Sequence, residues 1–463
     1  MQEREGECGR EVSSLDGRTF QVDDMEGPAV AGDLVILHPE TGRRVLGQVL
    51  RKRRTADATV GEGGILGVLG EDGELDTSLV DPFAGGWVQQ APHDVWTALE
   101  RSRAARMRIG VSQSGPAMLS GASFNRHTFL CGQSGSGKSY ALGVLIEQLL
   151  IDTDLPIVVL DPNGDFVGLG TTVEGAEPEE RSRIEAADVQ VFGATPPPGA
   201  RLLRVRFNDL GTEAKAAVLQ LDPLEDRGEY NLLISLAEEL RSDATDAVIA
   251  RLHASDRADE KKLAQRIENL GVLGWDVWAR DKEPILTALD PLPRATVVDV
   301  GGFQHPRERL AVAMAILDHL WARREQRQPV LLVIDEAHNV CPADPVDPMA
   351  RATTDRLVQI ANEGRKYGIW LFLCTQRPSR ISQSVLAQCD NLALMRMNSP
   401  GDLADLEQLF GFVPPEMLRL APMFRKGESL MSGAFAPAPT FVQVRRRRTQ
   451  EGGGDLRVPT PVH

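Results

Sequence analysis

Along the first hundred residues the apolar positions come in short alternating runs broken by glycines, and beyond them the pattern changes to longer apolar stretches divided by helical spacing. Leu34–Leu37, the turn Pro39-Glu-Thr-Gly42 and Val45–Leu50 read as a hairpin, and further short runs predict a small N-terminal β-barrel over 17–95. Residues 1–16 are expected to form a disordered tail. Later apolar runs recur at Pro156–Asp161, Ala295–Val300, Val330–Asp335, Ile369–Gln376 and Asn391–Arg396. Their length, and the helical patterns between most of them, predict a buried parallel sheet with covering helices, an α/β fold. From 208 to 283 the chain reads as consecutive helices, with Leu263, Ile267 and Leu270 on one face before a Gly271 stop. The expected organisation is a core in two parts, 96–207 and 284–448, interrupted by a helical bundle at 208–283, with a tail or brace at 449–463.

The segment Gly132-Gln-Ser-Gly-Ser-Gly137-Lys138-Ser139 lies between an apolar run, His127–Cys131, and a helix-like stretch, Tyr140–Leu150. A glycine turn in that setting aims consecutive backbone N–H groups at phosphate oxygens, and the helix adds the positive end of its dipole. Lys138 is placed to reach the β- and γ-phosphates of ATP and Ser139 to ligate Mg²⁺. Gly132, Gln133, Ser134, Gly135, Ser136, Gly137, Lys138, Ser139 and Tyr140 are the candidate nucleotide-binding residues. In open α/β sheets ligands gather at the carboxyl ends of the strands. There the run from Val330 turns abruptly acidic: Asp335 can hold the metal shell, and Glu336 can orient and polarise the attacking water. Gln376, ending another run, can sense the γ-phosphate. Asp161 opens the turn-like Asp-Pro-Asn-Gly-Asp165, and both a turn role and a second acid beside the metal stay open. His338 reads as a helix-start residue rather than a catalyst.

The net charge of −15, from 51 basic and 66 acidic side chains, disfavours a chain that coats nucleic acid with its whole surface but allows a local basic channel. The clusters Arg51–Arg54, Arg101–Arg108 and Arg445–Arg448 read first as solvated strand edges or linkers. Five cysteines without a Cys-x-x-Cys pair argue against a disulfide framework or a zinc ribbon and for core thiols. No apolar run approaches the ~20 residues of a membrane helix, and the acidic start lacks a signal core, so a cytoplasmic protein is expected.

Assembled, these residues resemble the HerA family of hexameric DNA translocases, in the HerA/FtsK group of P-loop ATPases. The resemblance rests on Arg126-His127 before the glycine loop, DPNGDF at 161–166, VIDEAH at 333–338, GRKYG at 364–368 leading into CTQRPSRIS at 374–382, and Gln388-Cys-Asp-Asn391 with the strand holding Arg396. It implies a RecA-like core, assembly into a homo-hexamer, and ATP hydrolysis at subunit junctions that drives double-stranded DNA through the ring. By position it assigns Glu336 as catalytic base and Gln376 as sensor, and matches Arg126 and Arg365 to arginines that reach a neighbour's site. A partner nuclease, NurA-like, or another defence effector is also implied. The family's acidic-aromatic pair after DPxG is here Asp165-Phe166, which removes a hydroxyl. An ATP-regulated scaffold for an effector enzyme, or a conjugation or secretion ATPase, is the competing reading; the ABC class is disfavoured because its LSGGQ-type signature is missing.

Overall fold

The computed structural model describes residues 7–54, 58–70, 74–78, 80–236 and 245–453. In chain order come β1 (Glu7–Ser14), β2 (Thr19–Met25), β3 (Leu34–Pro39), β4 (Arg44–Arg54), β5 (Thr59–Leu69), the two-residue β6 (Leu75–Asp76) and β7 (Phe83–Ala84), β8 (Gly86–Gln90), α1 (His93–Ser102), β9 (Met107–Ser112), β10 (Gly115–Leu119), β11 (His127–Cys131) and α2 (Lys138–Asp152). Next are β12 (Ile157–Asp161), α3 (Pro178–Ala186), β13 (Val189–Gly193), β14 (Arg201–Leu202), α4 (Thr212–Val218), α5 (Arg227–Leu236), α6 (Thr245–Ala254), α7 (Ala258–Leu270), α8 (Ile285–Leu289), β15 (Ala295–Asp299), α9 (Pro306–Ala322) and β16 (Val330–Ile334). The chain finishes with α10 (Pro348–Glu363), β17 (Ile369–Thr375), α11 (Gln383–Leu386), β18 (Cys389–Met395), α12 (Pro400–Leu409), α13 (Pro415–Leu418), β19 (Glu428–Gly433) and β20 (Thr440–Val444).

Two compact units result, one of residues 1–124, 128–153 and 390–446, the other of 125–127, 154–389 and 447–463. In the first, β2-β1-β8-β3-β4-β5 run side by side and β2 pairs again with β5, closing a six-stranded barrel. Inward residues of the alternating strands, among them Val12, Phe20, Val22, Val35, Leu37, Val45 and Val88, fill it. Gly63 admits the Phe20 ring, since a Cβ there would stand 2.2 Å from its Cζ. Leu34 and Leu46 form a second cluster with Trp96 and Leu99 of α1 and with Ala438. The same unit holds the strand order β10-β9-β20-β19-β18-β11.

The second unit carries β17-β16-β12-β15-β13-β14, in which each strand pairs parallel with its neighbour. Strands β12 and β16 are buried at every residue, as their unbroken apolar runs demand. Between β14 and β15 lie the helices α4–α7; α7 buries Leu263, Ala264 and Ile267 and stops at Gly271, whose φ of +63° suits a residue without Cβ. Arg266 ties α7 to Asp226 at 2.5 Å.

Several expectations are corrected. Residues 7–14 of the supposed tail are strand β1, because Cys8 and Val12 point into the barrel; residues 1–6, and 454–463 of the tail or brace, lie outside the described residues. The stretch 101–108 is no linker: α1 runs to Ser102 and β9 begins at Met107. Strand β18 pairs antiparallel with β19, so the Asn391–Arg396 run has an antiparallel neighbour. Arg445–Arg448 is mostly inside: Arg447 is 4 % exposed, Arg445 faces the buried Glu147, and Arg448 pairs with Glu180. Arg51–Arg54 does end a strand mostly in solvent. All five cysteines are buried and none is in a disulfide. No helix among the described residues is long and apolar enough to cross a membrane.

Candidate active site

In the first unit the buried β11 delivers the chain into the glycine loop. The loop is pinned by backbone bonds: the Gln133 N–H donates to the Arg396 carbonyl at 2.9 Å, and the Gly427 N–H to the Ser136 carbonyl at 2.9 Å. Gln133 Oε1 accepts from the Asn398 N–H at 3.1 Å, so this side chain holds the loop. Gly135 and Gly137 adopt φ of +74° and +96°, values that L side chains resist. A Cβ on Gly135 would meet nothing within 4 Å, so the crest of the loop faces open space. Ser134 and Gly135 are exposed, Gln133, Gly137, Ser139 and Tyr140 half-buried, and Gly132, Ser136 and Lys138 buried. The Ser136 hydroxyl makes no hydrogen bond among the described residues. Lys138 and Ser139 open α2, a helix of 15 residues. An open crest on left-handed glycines, a long helix's positive end and a lysine at its first position suit the phosphates of ATP, and Ser139 is the residue that would help hold Mg²⁺.

In the second unit, β12, β16 and β17 run in parallel with Leu160 opposite Ile334 and Ile334 opposite Leu373. Asp161, Asp335-Glu336 and Gln376 therefore emerge together at the carboxyl ends. Asp335 is 2 % exposed and its N–H donates to the Leu160 carbonyl at 3.1 Å. Glu336 is buried with φ of +45°, an unusual backbone for a side chain of its size. Its Oε1 accepts from Gln376 Nε2 at 2.7 Å, and its Oε2 lies 3.3 Å from His338 Nδ1. A buried carboxylate that can hold a cation and a second that can direct water meet the needs of phosphoryl transfer.

Asp161 is wholly buried and turned onto its own loop: Oδ1 accepts from the N–H groups of Asn163, Gly164 and Asp165 at 3.2, 2.8 and 3.1 Å, and Oδ2 from Phe166 at 2.8 Å. Burial pushes its carboxyl up to about 7, against the pull of those N–H groups. Phe166 is fully buried, with the Arg447 guanidinium 5.4 Å from its ring centroid and Arg447 Nη1 donating to the Asp165 carbonyl at 3.2 Å. The missing hydroxyl thus falls on a core ring.

Arg126 is exposed just before β11, and Arg365 half-buried in a 3₁₀ turn just before β17. Their segments are joined through His127, whose Nε2 bonds the Ala361 carbonyl at 3.0 Å and whose Nδ1 accepts from the Leu371 N–H at 2.9 Å. Arg365 stands at the start of β17 and Gln376 just past its end. Seven strand residues separate them, roughly 20 Å at ~3.3 Å per residue. Within its own unit Arg365 is therefore beyond side-chain reach of Glu336. The contact of His338 with Glu336 is one that residue patterns did not reveal; the closeness of His338 to the acidic pair was the available signal.

A family model described as "Helicase HerA, central domain" matches residues 108–320. A probable helicase of Methanocaldococcus jannaschii is 24% identical over 369 residues, 72% of this chain and 68% of that protein. A "DNA double-strand break repair helicase HerA" of Sulfurisphaera tokodaii is 21% identical, over 83% of this chain and 78% of its own. Among solved structures, VirB4 of Thermoanaerobacter pseudethanolicus is similar with a TM-score of 0.52 and 16% identity, covering 74% of this chain and 96% of that one.

Proposed function

We propose that this chain, similar over residues 108–320 to the HerA central domain and over most of its length to HerA helicases, is a ring-shaped motor, a homo-hexamer, that couples ATP hydrolysis to movement along double-stranded DNA. The observation that carries this reading is the hydrolytic pair at the end of β16, Asp335 beside a Glu336 gripped by Gln376, in a chain whose glycine loop opens a long helix. A protein that only binds nucleotide has no need of the second carboxylate. Lys138 takes the β- and γ-phosphates; Ser139 and Asp335 hold Mg²⁺, which when bound neutralises charge on the phosphate oxygens. Glu336 orients the water and takes its proton, and Gln376 registers the γ-phosphate through the amide that now holds Glu336. Arg126 and Arg365 serve the neighbouring subunit. In keeping with curated relatives named for double-strand break repair, the motor works in the cytoplasm with a partner nuclease or other effector, in end processing or defence against phage.

ATPase rates with and without linear duplex DNA test this. Stimulation of turnover by DNA, and DNA affinity that falls steeply with salt while depending little on sequence, are expected of a channel gripping phosphates. Turnover indifferent to DNA would instead favour an ATP-regulated scaffold.

A further inference from the structure

We infer that His338 is a positioning residue for Glu336, the second of two side chains that fix the carboxylate for hydrolysis. The inference rests on the reading of Glu336 as the base. His338 lies in the 3₁₀ turn Ala337–Asn339 directly after Glu336. Its Nδ1 is 3.3 Å from Glu336 Oε2 and 3.0 Å from Thr375 Oγ1. Thr375 is the last residue of β17, and its hydroxyl also accepts the Arg377 N–H at 3.1 Å. A carboxylate oxygen facing Nδ1 favours the tautomer with the proton there, so that Nδ1–H bonds Thr375 Oγ1 and stands beside Glu336 Oε2. Glu336 is hydrogen-bonded at Oε1 by the Gln376 amide and faced at Oε2, which makes no hydrogen bond of its own among the described residues, by the imidazole at 3.3 Å, so that Oε2 keeps its lone pairs to meet a water while the ring limits how far the carboxylate can swing.

The two grips come from segments that are themselves laced together. The Ser382 N–H donates to the Cys341 carbonyl, the Ala343 N–H to the Arg380 carbonyl, and Thr353 Oγ1 to the Val340 carbonyl at 2.6 Å. The turn bearing His338 is thereby fixed to the loop that follows Gln376. With its backbone at φ of +45°, Glu336 cannot take its orientation from a regular helix or strand. Side-chain donors must supply it. Gln376 is free to change partner when the γ-phosphate arrives, whereas His338, anchored on Thr375, stays as the fixed grip. A base held by one donor alone would swing, and misplacement by about 1 Å costs on the order of 100-fold in rate.

The test uses the full-length protein in steady-state ATPase assays, with binding of a non-hydrolysable ATP analogue and thermal melting measured alongside. His338→Ala is expected to lower kcat by about 10- to 100-fold while KM, analogue affinity and melting temperature stay near wild type. His338→Asn, whose side-chain N–H₂ can stand in for Nδ1–H, should restore most of kcat. Glu336→Gln is the separate check on the underlying reading and should abolish hydrolysis while sparing analogue binding. If Glu336→Gln is inactive but His338→Ala turns over like wild type, or if Asn restores nothing, the positioning role is overturned while the base assignment stands. If Glu336→Gln still hydrolyses ATP, the base assignment itself falls, and the inference with it.

Discussion

Asp161 shows how a single carboxylate can look catalytic in a sequence and act otherwise in a fold. It ends a buried strand where a metal-side acid would sit, yet both its oxygens are engaged by four successive N–H groups of its own loop. Asp161→Ala would bury those donors without acceptors, at about 1–3 kcal/mol for each one left unsatisfied. Chemical denaturation should show a loss of at least ~3 kcal/mol. Analogue binding per folded molecule should persist. The pH dependence is distinctive as well. With its pKa raised from 3.8 to about 7, folded Asp161 keeps a proton that the unfolded chain has released, so stability declines as pH rises through that window and levels off above it. Asp161→Asn cannot titrate there; the stability of wild type minus that of Asp161→Asn should fall between pH 4 and pH 7. A flat difference would contradict the assigned environment.

At the scale of elements, the helix that carries Lys138 and Ser139 depends on a side chain from the far end of the sequence. Glu147 of α2 is fully buried; Arg445, just after β20, places Nη2 3.4 Å from its Oε1 and 2.5 Å from Gln148 Oε1. Removing one partner of such a buried pair costs about 3–5 kcal/mol, whereas replacing both by apolar groups is often neutral. Arg445→Ala should therefore lower the denaturation midpoint markedly and weaken ATP binding, while Glu147→Leu with Arg445→Met should recover most of the stability. Equal stability of Arg445→Ala and wild type would remove the pair from this role. Reading Arg445–Arg448 as solvated failed because charge runs reveal composition and not partners. The elements themselves were plain where burial was complete: β12 and β16 are unbroken apolar runs, and the glycine loop has its strand and its helix. Edge and mixed elements were not. Strand β13 is half-exposed over Val189–Val191 and contains Gln190, so no continuous apolar run marks it. The site followed the same division: Asp335, Glu336 and Gln376 carry recognisable spacing, whereas the His338–Thr375 contact joins residues that only the parallel register of β16 and β17 brings near.

For the whole molecule, the position of Arg365 at the opposite end of β17 from Gln376 bears on assembly. On the proposed ring, a guanidinium that cannot reach Glu336 within its own unit would act on hydrolysis only from another subunit, and an arginine so supplied contributes on the order of 10³-fold or more. A monomer should be nearly inactive. Arg365→Ala and Glu336→Gln chains should each be inactive alone, and rings formed from a mixture of the two should regain part of the turnover, because some junctions pair an intact Arg365 with an intact Glu336. The same experiment with Arg126→Ala separates the two arginines. No recovery in rings shown to be mixed would confine that arginine to a structural role in its own chain.

The pinning of the glycine loop by Arg396 and Gly427 also sets an order of events during synthesis. The ribosome makes the loop early, but the strands that complete its unit belong to residues 390–446 and are polymerised later, on the order of tens of seconds at ordinary elongation rates. The nascent chain thus carries a phosphate-binding segment in full but without its supports. The supports that pin the loop exist only once residues 390–446 have been made.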